Sequence, residues 1–402
     1  MSANAHGSRF AARRLAVGLV GFCAFINLYS PQALLPLLSE EFGVGATQIS
    51  LTMTVAALAV ALTAPFSGAA ADVLGRKRVI VSAMALLAVP TVMLALSPDV
   101  PTLVFWRFVQ GLMLPPIFVV IIAYVGEEWP ASEIAAAAGL YTAGASLGGF
   151  SGRLVTGVLA DLAGWRIAFA SLGLFALAAS LAVMVMLPRE RGFVRSQNIA
   201  TSLRQMVKHF RNPQLVATNA IGFGVLFNFI ATFTYITFVL AEPPYELSPS
   251  LLGAVFAVYL VGTFTAPLVG IAVSRWGRRL FVVGMLIFWI GGILLTLLPS
   301  LIAIVVGLAV CAGCGLVCQA VSTGYVTATA KEGRSSAVGL YVLSFYMGGS
   351  VGALVPGLAY EAAGWGACVA LVVAMLVLMA SIVALVWRDA PRMQPSPGIE
   401  VT

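Results

Sequence analysis

The chain contains a long internal repeat. The segment 139–165 recurs at 339–365, with the same Gly-Leu-Tyr, Gly-Gly, Leu-Val and Ala-Gly-Trp sequences displaced by 200 residues. A second block, 63–76, returns at 265–278, so the order of the blocks is the same in both copies. Because the repeated unit is about half of the chain, the pattern indicates two fused halves of similar structure and not a stack of short units.

The composition is that of a membrane protein. Hydrophobic residues make up 60% of the chain and charged residues 9%, whereas charged residues make up about a quarter of a soluble domain. A helix needs about 20 apolar residues to cross the bilayer, because lipid offers no partner to an unpaired backbone group. The sequence therefore predicts an all-α polytopic membrane protein with twelve transmembrane helices in two pseudo-symmetric six-helix bundles. The predicted spans, one to twelve in chain order, are 15–38, 47–71, 79–97, 102–125, 134–160, 166–187, 214–240, 251–273, 280–298, 300–327, 336–360 and 366–387.

These spans divide the chain into two bundles and three polar segments. We expect a cytoplasmic tail at 1–14, a first bundle at 15–187, a cytoplasmic linker at 188–213, a second bundle at 214–388 and a cytoplasmic tail at 389–402. The linker is rich in arginine, and two interpretations stay open. It is either an interfacial helix held by acidic lipid headgroups or a solvated basic connection.

The basic residues predict the orientation, since Lys and Arg are retained on the cytoplasmic side of a membrane. With the N-terminus inside, 19 of the 22 basic residues lie in the cytoplasm, Arg107 and Arg153 lie within spans, and Arg166 lies outside. We therefore expect a multi-pass protein of the cytoplasmic (inner) membrane with both termini in the cytoplasm. The net charge of +7 then reflects topology, so the expected partners include the lipid bilayer and no nucleic acid.

The cysteines and a serine motif are better explained by helix packing than by disulfides, metal binding or catalysis. All five cysteines fall in apolar segments, where we expect no disulfide, no metal site and no cofactor. The pattern G-x-S-x-G occurs at 144–148 and 348–352, but both copies lie in predicted helices. A nucleophile elbow needs a strand-to-helix turn and a histidine base, and the two histidines, His6 and His209, lie in predicted cytoplasmic segments. We expect the protein not to be an enzyme.

The loop after span two carries the pattern G-x-x-x-D-x-x-G-R-K, from Gly68 to Lys77, and a degenerate copy at 270–279 follows span eight. This pair resembles the signature of the major facilitator superfamily of transporters. The R-x-x-Q-G sequence that begins at Arg107 is similar to an element of its proton-coupled efflux transporters. The glycine-rich span five, at 144–153, is similar to that of its drug and small-metabolite exporters, although the Gly-Pro pair common there is absent. The resemblance covers roughly residues 15–388.

The resemblance implies a set of residues that control gating. A carboxylate at Asp72 would lie at the N-terminus of span eleven, where unpaired N–H groups favour negative charge, and would hold the cytoplasmic side closed. The corresponding residue of the second half is Ser274, so the resting protein is expected to open outward. Glycines four apart leave a bare face on spans five and eleven, which in the resemblance packs against spans of the opposite half. The expected gating residues are Gly68, Asp72, Gly75, Arg76, Lys77, Gly277, Arg278, Arg279, Gly148, Gly152, Arg153, Gly348 and Gly352.

Two arginines lie inside predicted spans, and burying each costs at least about 2.5 kcal/mol. Arg107 and Arg153 are either cavity-lining cations, which bind an anionic group of the substrate or a carbonyl dipole, or side chains that reach to the outer headgroups. Polar side chains on the first and fourth helices of each half predict the wall of a central site. The residues expected to line the substrate cavity are Asn27, Tyr29, Gln32, Arg107, Gln110, Asn228, Tyr235 and Gln319.

The resemblance implies secondary active export of a small organic compound by alternating access, coupled to proton influx, by a protein expected to act as a monomer. No Asp or Glu lies deep in a span. The candidate titrating groups are Asp72, Glu127, Glu128, Asp161 and Glu361. The alternatives are a uniporter, a proton symporter that imports a metabolite, and a membrane sensor or channel without counterflow.

Overall fold

The computed structural model describes residues 2–190, 204, 206–330 and 333–387, and the described part of the chain is helical without a strand. Most of the predicted linker and the predicted C-terminal tail lie outside these residues. The helices of the first half are Ser2–Tyr29 with Leu35–Phe42, Ala46–Leu74, Arg76–Ala95, Val100–Met113 with Pro115–Glu128, Ile134–Ala163 and Trp165–Met186. Those of the second half are Pro213–Ala241, Pro249–Val255 with Val261–Trp276, Arg278–Leu295, Leu301–Thr329 and Arg334–Val386.

These helices form the twelve predicted spans. Nine of the described helices are long and apolar enough to cross a membrane. The last of the nine holds spans eleven and twelve, because Ala363 and Gly364 leave the helical conformation between them. Span five, Ile134–Ala163, and the interrupted span eight complete the set. The first helix begins at Ser2, well before the predicted start of span one, so most of the predicted N-terminal tail is helical.

Prolines interrupt two spans of the first half. Span one stops at Tyr29 and resumes at Leu35 after Pro31, which has no N–H to donate to the carbonyl four residues before it. Span four is divided at Leu114, next to Pro115. Spans seven and ten, which correspond to spans one and four, have no proline within them after Pro213 and are continuous. The two halves therefore share a fold but differ in which helices are broken.

The repeat is also visible in the backbone of the turns. Gly75 and Gly277 end spans two and eight with φ of 93° and 76°. Gly164 and Gly364 end spans five and eleven with φ of 88° and 70°. These angles favour glycine, because a side chain would be strained there. Each pair is related by the displacement of the repeat, so the shared turns follow from shared glycines.

The glycine faces of spans five and eleven pack within their own halves. Gly144, Gly148 and Gly152 lie directly against the backbone of span one, and Gly348 and Gly352 lie in the same way against span seven. The prediction that this face meets the opposite half is wrong. The small residues allow two helix backbones of one bundle to approach closely, and they therefore stabilise the packing within each bundle.

A valine at Gly148 tests this packing. Its side chain would enter the backbone of span one at Phe22, and overpacking of this kind costs about 1–3 kcal/mol. We expect Gly148→Val to lower the midpoint of thermal unfolding in detergent by several degrees. The matched control is Gly139→Val in the same helix, where an added side chain meets nothing within 4 Å. Equal unfolding temperatures for the two variants would contradict the packing role.

Candidate functional site

A cavity of about 450 Å³ lies between the two halves. Its wall comes from spans one, five, seven, eight, ten and eleven, and span four contributes nothing to it. Eight of the lining residues are aromatic, one is a cation, and none of them is Asp, Glu or His. The lining residues are Phe25, Tyr29, Tyr141, Thr142, Ala145, Ser146, Gly149, Phe150, Arg153, Leu226, Phe229, Ile230, Tyr259, Leu316, Gln319, Thr323, Phe345 and Tyr346.

The cavity is open toward one end of the molecule and closed at the other. Thr142 and Ser146, near the start of span five, lie on its wall and are exposed. At the other end Gln32 donates to Thr234 across the two halves at 3.0 Å, and both residues are fully buried. With the predicted topology, the open end is cytoplasmic. We call the open end the inner end and the closed end the outer end, as the predicted topology has them. The asymmetry between Asp72 and Ser274 predicts a resting state that opens to the opposite side.

Arg153 is the cation of the cavity, and it lies at the closed end. Its Nε and Nη2 both donate to Oε1 of Gln32, at 2.8 and 2.6 Å, and its Nη1 donates to the carbonyl of Gly149 at 2.7 Å. Aromatic rings surround the guanidinium, with ring centroids 4.3 Å away at Tyr29 and 4.8 Å at Tyr259. These rings attract a cation electrostatically. Arg153 therefore belongs to the predicted gating set and to the cavity wall.

Arg107 lies away from the cavity in the interior of the first half, and it is fully buried. Each of its five N–H groups has a partner. Nε donates to the carbonyl of Thr52 at 3.1 Å, and Nη2 to the carbonyl of Leu28 at 2.8 Å and to Sδ of Met53 at 3.9 Å. Nη1 donates to the carbonyl of Asn27 at 3.2 Å and to the side-chain oxygen of Gln110.

This arrangement makes Arg107 the cap of the broken first span. The helix that ends at Tyr29 leaves its last carbonyls without intrahelical donors, and Arg107 donates to those of Asn27 and Leu28. A cation is also favoured at a helix C-terminus by the helix dipole. Thr156 of span five donates to the carbonyl of Ser30, just beyond the end of this helix, at 2.8 Å. The cost of burying Arg107 is offset by carbonyl dipoles, so no donor is left for a substrate.

The other predicted cavity residues divide into two groups. Tyr29 and Gln319 lie on the wall. Asn27 and Gln110 do not, because both bond to Thr91 and complete the network around Arg107. Gln32, Asn228 and Tyr235 are likewise buried off the wall: Gln32 holds Arg153, Asn228 donates to Sδ of Met379 at 3.4 Å, and Tyr235 donates to the carbonyl of Ala353.

Sequence reasoning missed several wall residues. Tyr259, Tyr346 and Thr323 are single polar groups in apolar helices, and no spacing distinguishes them from packing residues. Tyr141 did carry a signal, since it belongs to the repeated Gly-Leu-Tyr sequence. Its partner in the repeat, Tyr341, is buried and lies off the wall, so the repeat alone does not identify the site.

The charged groups of the inner loop bond within the first half. Asp72 accepts from Arg76 at 3.3 Å, and Arg76 also pairs with Glu127 of span four. The backbone N–H of Lys77 donates to Glu190 at 3.4 Å. The predicted contact between Asp72 and the start of span eleven is not among the bonds of the described residues. The latch between Asp72 and span eleven therefore stays a prediction.

The remaining predicted gating residues lie at the loop after span two and at the corresponding loop after span eight. Gly68 faces open space, and Gly75 lies beside the carboxylate of Glu190. In the second half Gly277 forms the turn after span eight, and Arg278 and Arg279 begin span nine. The guanidinium of Arg278 lies 5.9 Å from the ring centroid of Tyr325.

Two carboxylates join the halves at the outer end, and the repeat relates them. Asp161 of span five accepts from Oγ of Ser248 and from the backbone N–H of Ser250, both at 3.0 Å. Glu361 of span eleven accepts from the backbone N–H of Thr47 at 2.9 Å. Each carboxylate thus lies at the start of a helix of the opposite half, where negative charge is stabilised. We name Asp161 and Glu361 the outer carboxylate pair.

Two helical bundles around a central cavity that is closed at one end define a membrane transporter. The sequence-family model described as Major Facilitator Superfamily matches residues 17–245 and 221–401 of this chain. The chain therefore belongs to the Major Facilitator Superfamily. Each of the two matches covers one of the halves that the internal repeat predicts.

Individual relatives agree with the family. The chain is 32% identical to the inner membrane transport protein YnfM of Escherichia coli over 373 residues, which cover 90% of this chain and 88% of that one. It is 26% identical to the chloramphenicol efflux pump Rv0191 of Mycobacterium tuberculosis over 71% of this chain and 70% of the pump. Among solved structures, the nucleoside transporter NupG has a TM-score of 0.78 at 15% identity, with 93% of this chain and all of that chain covered.

Replacement of Arg107 by leucine tests its role as a cap. The change removes the donors to the carbonyls of Thr52, Asn27 and Leu28, and each buried polar group left unsatisfied costs about 1–3 kcal/mol. We expect Arg107→Leu to reduce the folded yield and the unfolding temperature, and Arg107→Lys, which has fewer donors, to be intermediate. The control Arg166→Leu removes an exposed arginine and should unfold like the wild type. A normally folded Arg107→Leu that has lost substrate binding would contradict the cap.

Removal of the outer carboxylate pair tests the closure of the outer end. The reporter is a cysteine at Ile230, on the cavity wall, in a chain whose five native cysteines are replaced by alanine. We expect Asp161→Ala with Glu361→Ala to increase its labelling by an impermeant maleimide from the outer side several-fold, because two contacts between the halves are lost. The control is Glu41→Ala, an exposed acid that pairs with Arg166 within one half. Equal labelling of the double variant and this control would rule out the pair as a latch.

Proposed function

We propose that the protein exports a small organic compound across the cytoplasmic membrane by alternating access, in exchange for protons. One observation carries the proposal: the cavity between the halves is accessible from the predicted cytoplasmic end and closed at the outer end by residues of both halves. Its volume of about 450 Å³ is within the range of sites for small organic molecules, roughly 300–1,000 Å³. Rocking of the two bundles would present the same cavity to the outside.

Two features support export over import. The R-x-x-Q-G sequence at Arg107 is similar to that of proton-coupled efflux transporters, and one relative is a chloramphenicol efflux pump. The solute itself does not follow from the fold, because the similar nucleoside transporter NupG shares the architecture at 15% identity. A fold places the cavity, and the side chains of the wall decide what enters it.

Protons are proposed to act at the ends of the molecule. No described residue of the cavity wall is Asp, Glu or His, whereas Asp161 and Glu361 join the halves at the outer end and Asp72 and Glu127 bond at the inner end. The outer carboxylate pair places negative charge at two helix starts, one in each half. These acids at the ends of the molecule, and no described group on the wall, are therefore the proposed sites of proton coupling.

Reconstituted proteoliposomes test the proposal. With an imposed pH gradient and a panel of labelled compounds, we expect saturable transport that runs against the proton flow and collapses when an ionophore dissipates the gradient. The matched control carries Gln32→Cys and Thr234→Cys, joined by a bifunctional thiol reagent in the cysteine-free chain, so that the outer end stays closed. This cross-linked protein should bind solute but not transport it.

Each other outcome identifies an alternative. Saturable flux that is indifferent to the pH gradient indicates a uniporter, and flux in the direction of the protons indicates a symporter. Flux that increases linearly with solute concentration indicates a channel. Binding without any flux indicates a sensor, and either of the last two results would overturn transport by alternating access.

A further inference from the structure

The described residues of the cavity wall carry a positive charge and no negative charge. Arg153 is the only charged residue among the described lining residues, and its side chain is 2% exposed. Buried charges in proteins are normally paired with an opposite charge. Here the guanidinium is held by the neutral oxygens of Gln32 and Gly149 and by aromatic rings. The positive charge at the closed end of the cavity is therefore not neutralised by any described acidic side chain in contact with it.

The hydrogen bonds of Arg153 are also incomplete. A guanidinium has five N–H groups, and three of them are used by Gln32 and Gly149. One N–H on each terminal nitrogen has no hydrogen-bond acceptor among the described residues. Arg107 is the internal comparison, because all five of its N–H groups have partners. The two buried arginines thus differ: one is satisfied by the protein, and the other keeps donors at the edge of an open cavity.

We propose that the transported compound is a small organic anion with an aromatic body, whose carboxylate or similar group is bound by Arg153. This assignment rests on the proposed function, since it names the substrate class of the same cavity. Arginine is suited to the role because its planar fork binds a carboxylate through two parallel hydrogen bonds. The anion supplies the negative charge and the acceptors that the wall lacks.

The rest of the wall fits an aromatic body. Phe25, Phe229 and Tyr346 lie on the wall together with Arg153, and aromatic side chains favour offset or edge contacts with another ring. Gln319 and Thr323 provide polar groups on the same wall. An organic cation is disfavoured, because it would meet a like charge and no described carboxylate.

Binding of an anion at Arg153 also affects a contact between the halves at the closed outer end. Gln32 accepts from Arg153 through Oε1 and donates to Thr234 of the opposite half through Nε2. An anion bound to the remaining N–H groups attracts the guanidinium away from Gln32, whose amide bridges the halves through its other end. The bound substrate thereby weakens a contact that keeps the outer side closed, which is the direction required for release outside.

Matched ligand sets test the charge assignment. The probes are carboxylate, carboxamide and methylammonium derivatives of benzene, naphthalene and biphenyl, titrated calorimetrically into the purified full-length protein. Loss of a charged partner at a buried site changes affinity by about a hundredfold. We expect at least one carboxylate to bind tenfold or more tightly than its carboxamide, and no ammonium compound to bind better than its carboxylate. Equal or weaker binding of every carboxylate would overturn the proposal.

Variants assign the preference to Arg153. In Arg153→Gln the preference for carboxylate over carboxamide should disappear while the carboxamide still binds, whereas Arg153→Lys should keep a preference for the carboxylate. The matched control Arg166→Gln removes an exposed arginine outside the cavity and should leave the preference unchanged. If Arg153→Gln does not fold, Arg153→Lys decides, because a lysine lacks the planar fork and should reduce the preference several-fold without abolishing it; a preference equal to that of the wild type would then contradict the assignment. An undiminished preference in a folded Arg153→Gln would overturn the assignment.

The two proposals fail separately. Counterflow of neutral compounds without any carboxylate preference would overturn the anion assignment and leave export intact. Selective binding of carboxylates without counterflow would support the anion site and overturn transport.

Discussion

The fold depends on one constraint: a backbone in lipid must find every hydrogen-bond partner inside the protein. Continuous helices meet this constraint by themselves, but Pro31 interrupts span one and leaves carbonyls without donors. Arg107 supplies those donors from span four, and Thr156 supplies another from span five. The break, the arginine and the threonine therefore form one structural unit. Around it, spans one to five of the first half are held in the positions that place the cavity wall.

The second half obeys the same constraint by a different route. Spans seven and ten are continuous, so no buried cation is needed there, and Phe229 joins spans seven, eight and nine by stacking on Tyr259 and meeting Trp289 edge-on. Because of this difference, two buried arginines that look equivalent in the sequence have different roles. The N–H groups of Arg107 all bond within its own half. Arg153 lies between the halves and keeps N–H groups that have no acceptor among the described residues. The asymmetry of a duplicated fold thus concentrates the chemistry of the cavity at one residue.

Much of the architecture could be predicted, and the failures have common causes. The repeat and the apolar segments predict twelve spans in two halves. The glycine face of span five was predicted correctly as a packing surface but assigned to the wrong partner, because spacing says that a helix approaches and not which helix. Arg107 was predicted to line the cavity and Tyr259 was not predicted at all, because helical periodicity does not distinguish the inside of a bundle from the space between two bundles.

By itself, the sequence determined the membrane location, the helical class, the duplication and the turns that require glycine. These properties depend on composition and on local backbone geometry, which are encoded residue by residue. Only the tertiary structure decided which buried arginine faces the cavity, which end of the cavity is closed and which acids join the halves. Asp161 and Glu361 each bond to a helix start from the other half, and such contacts depend on how two bundles are oriented. That orientation is a relation between two bundles, so no pattern within a single helix specifies it.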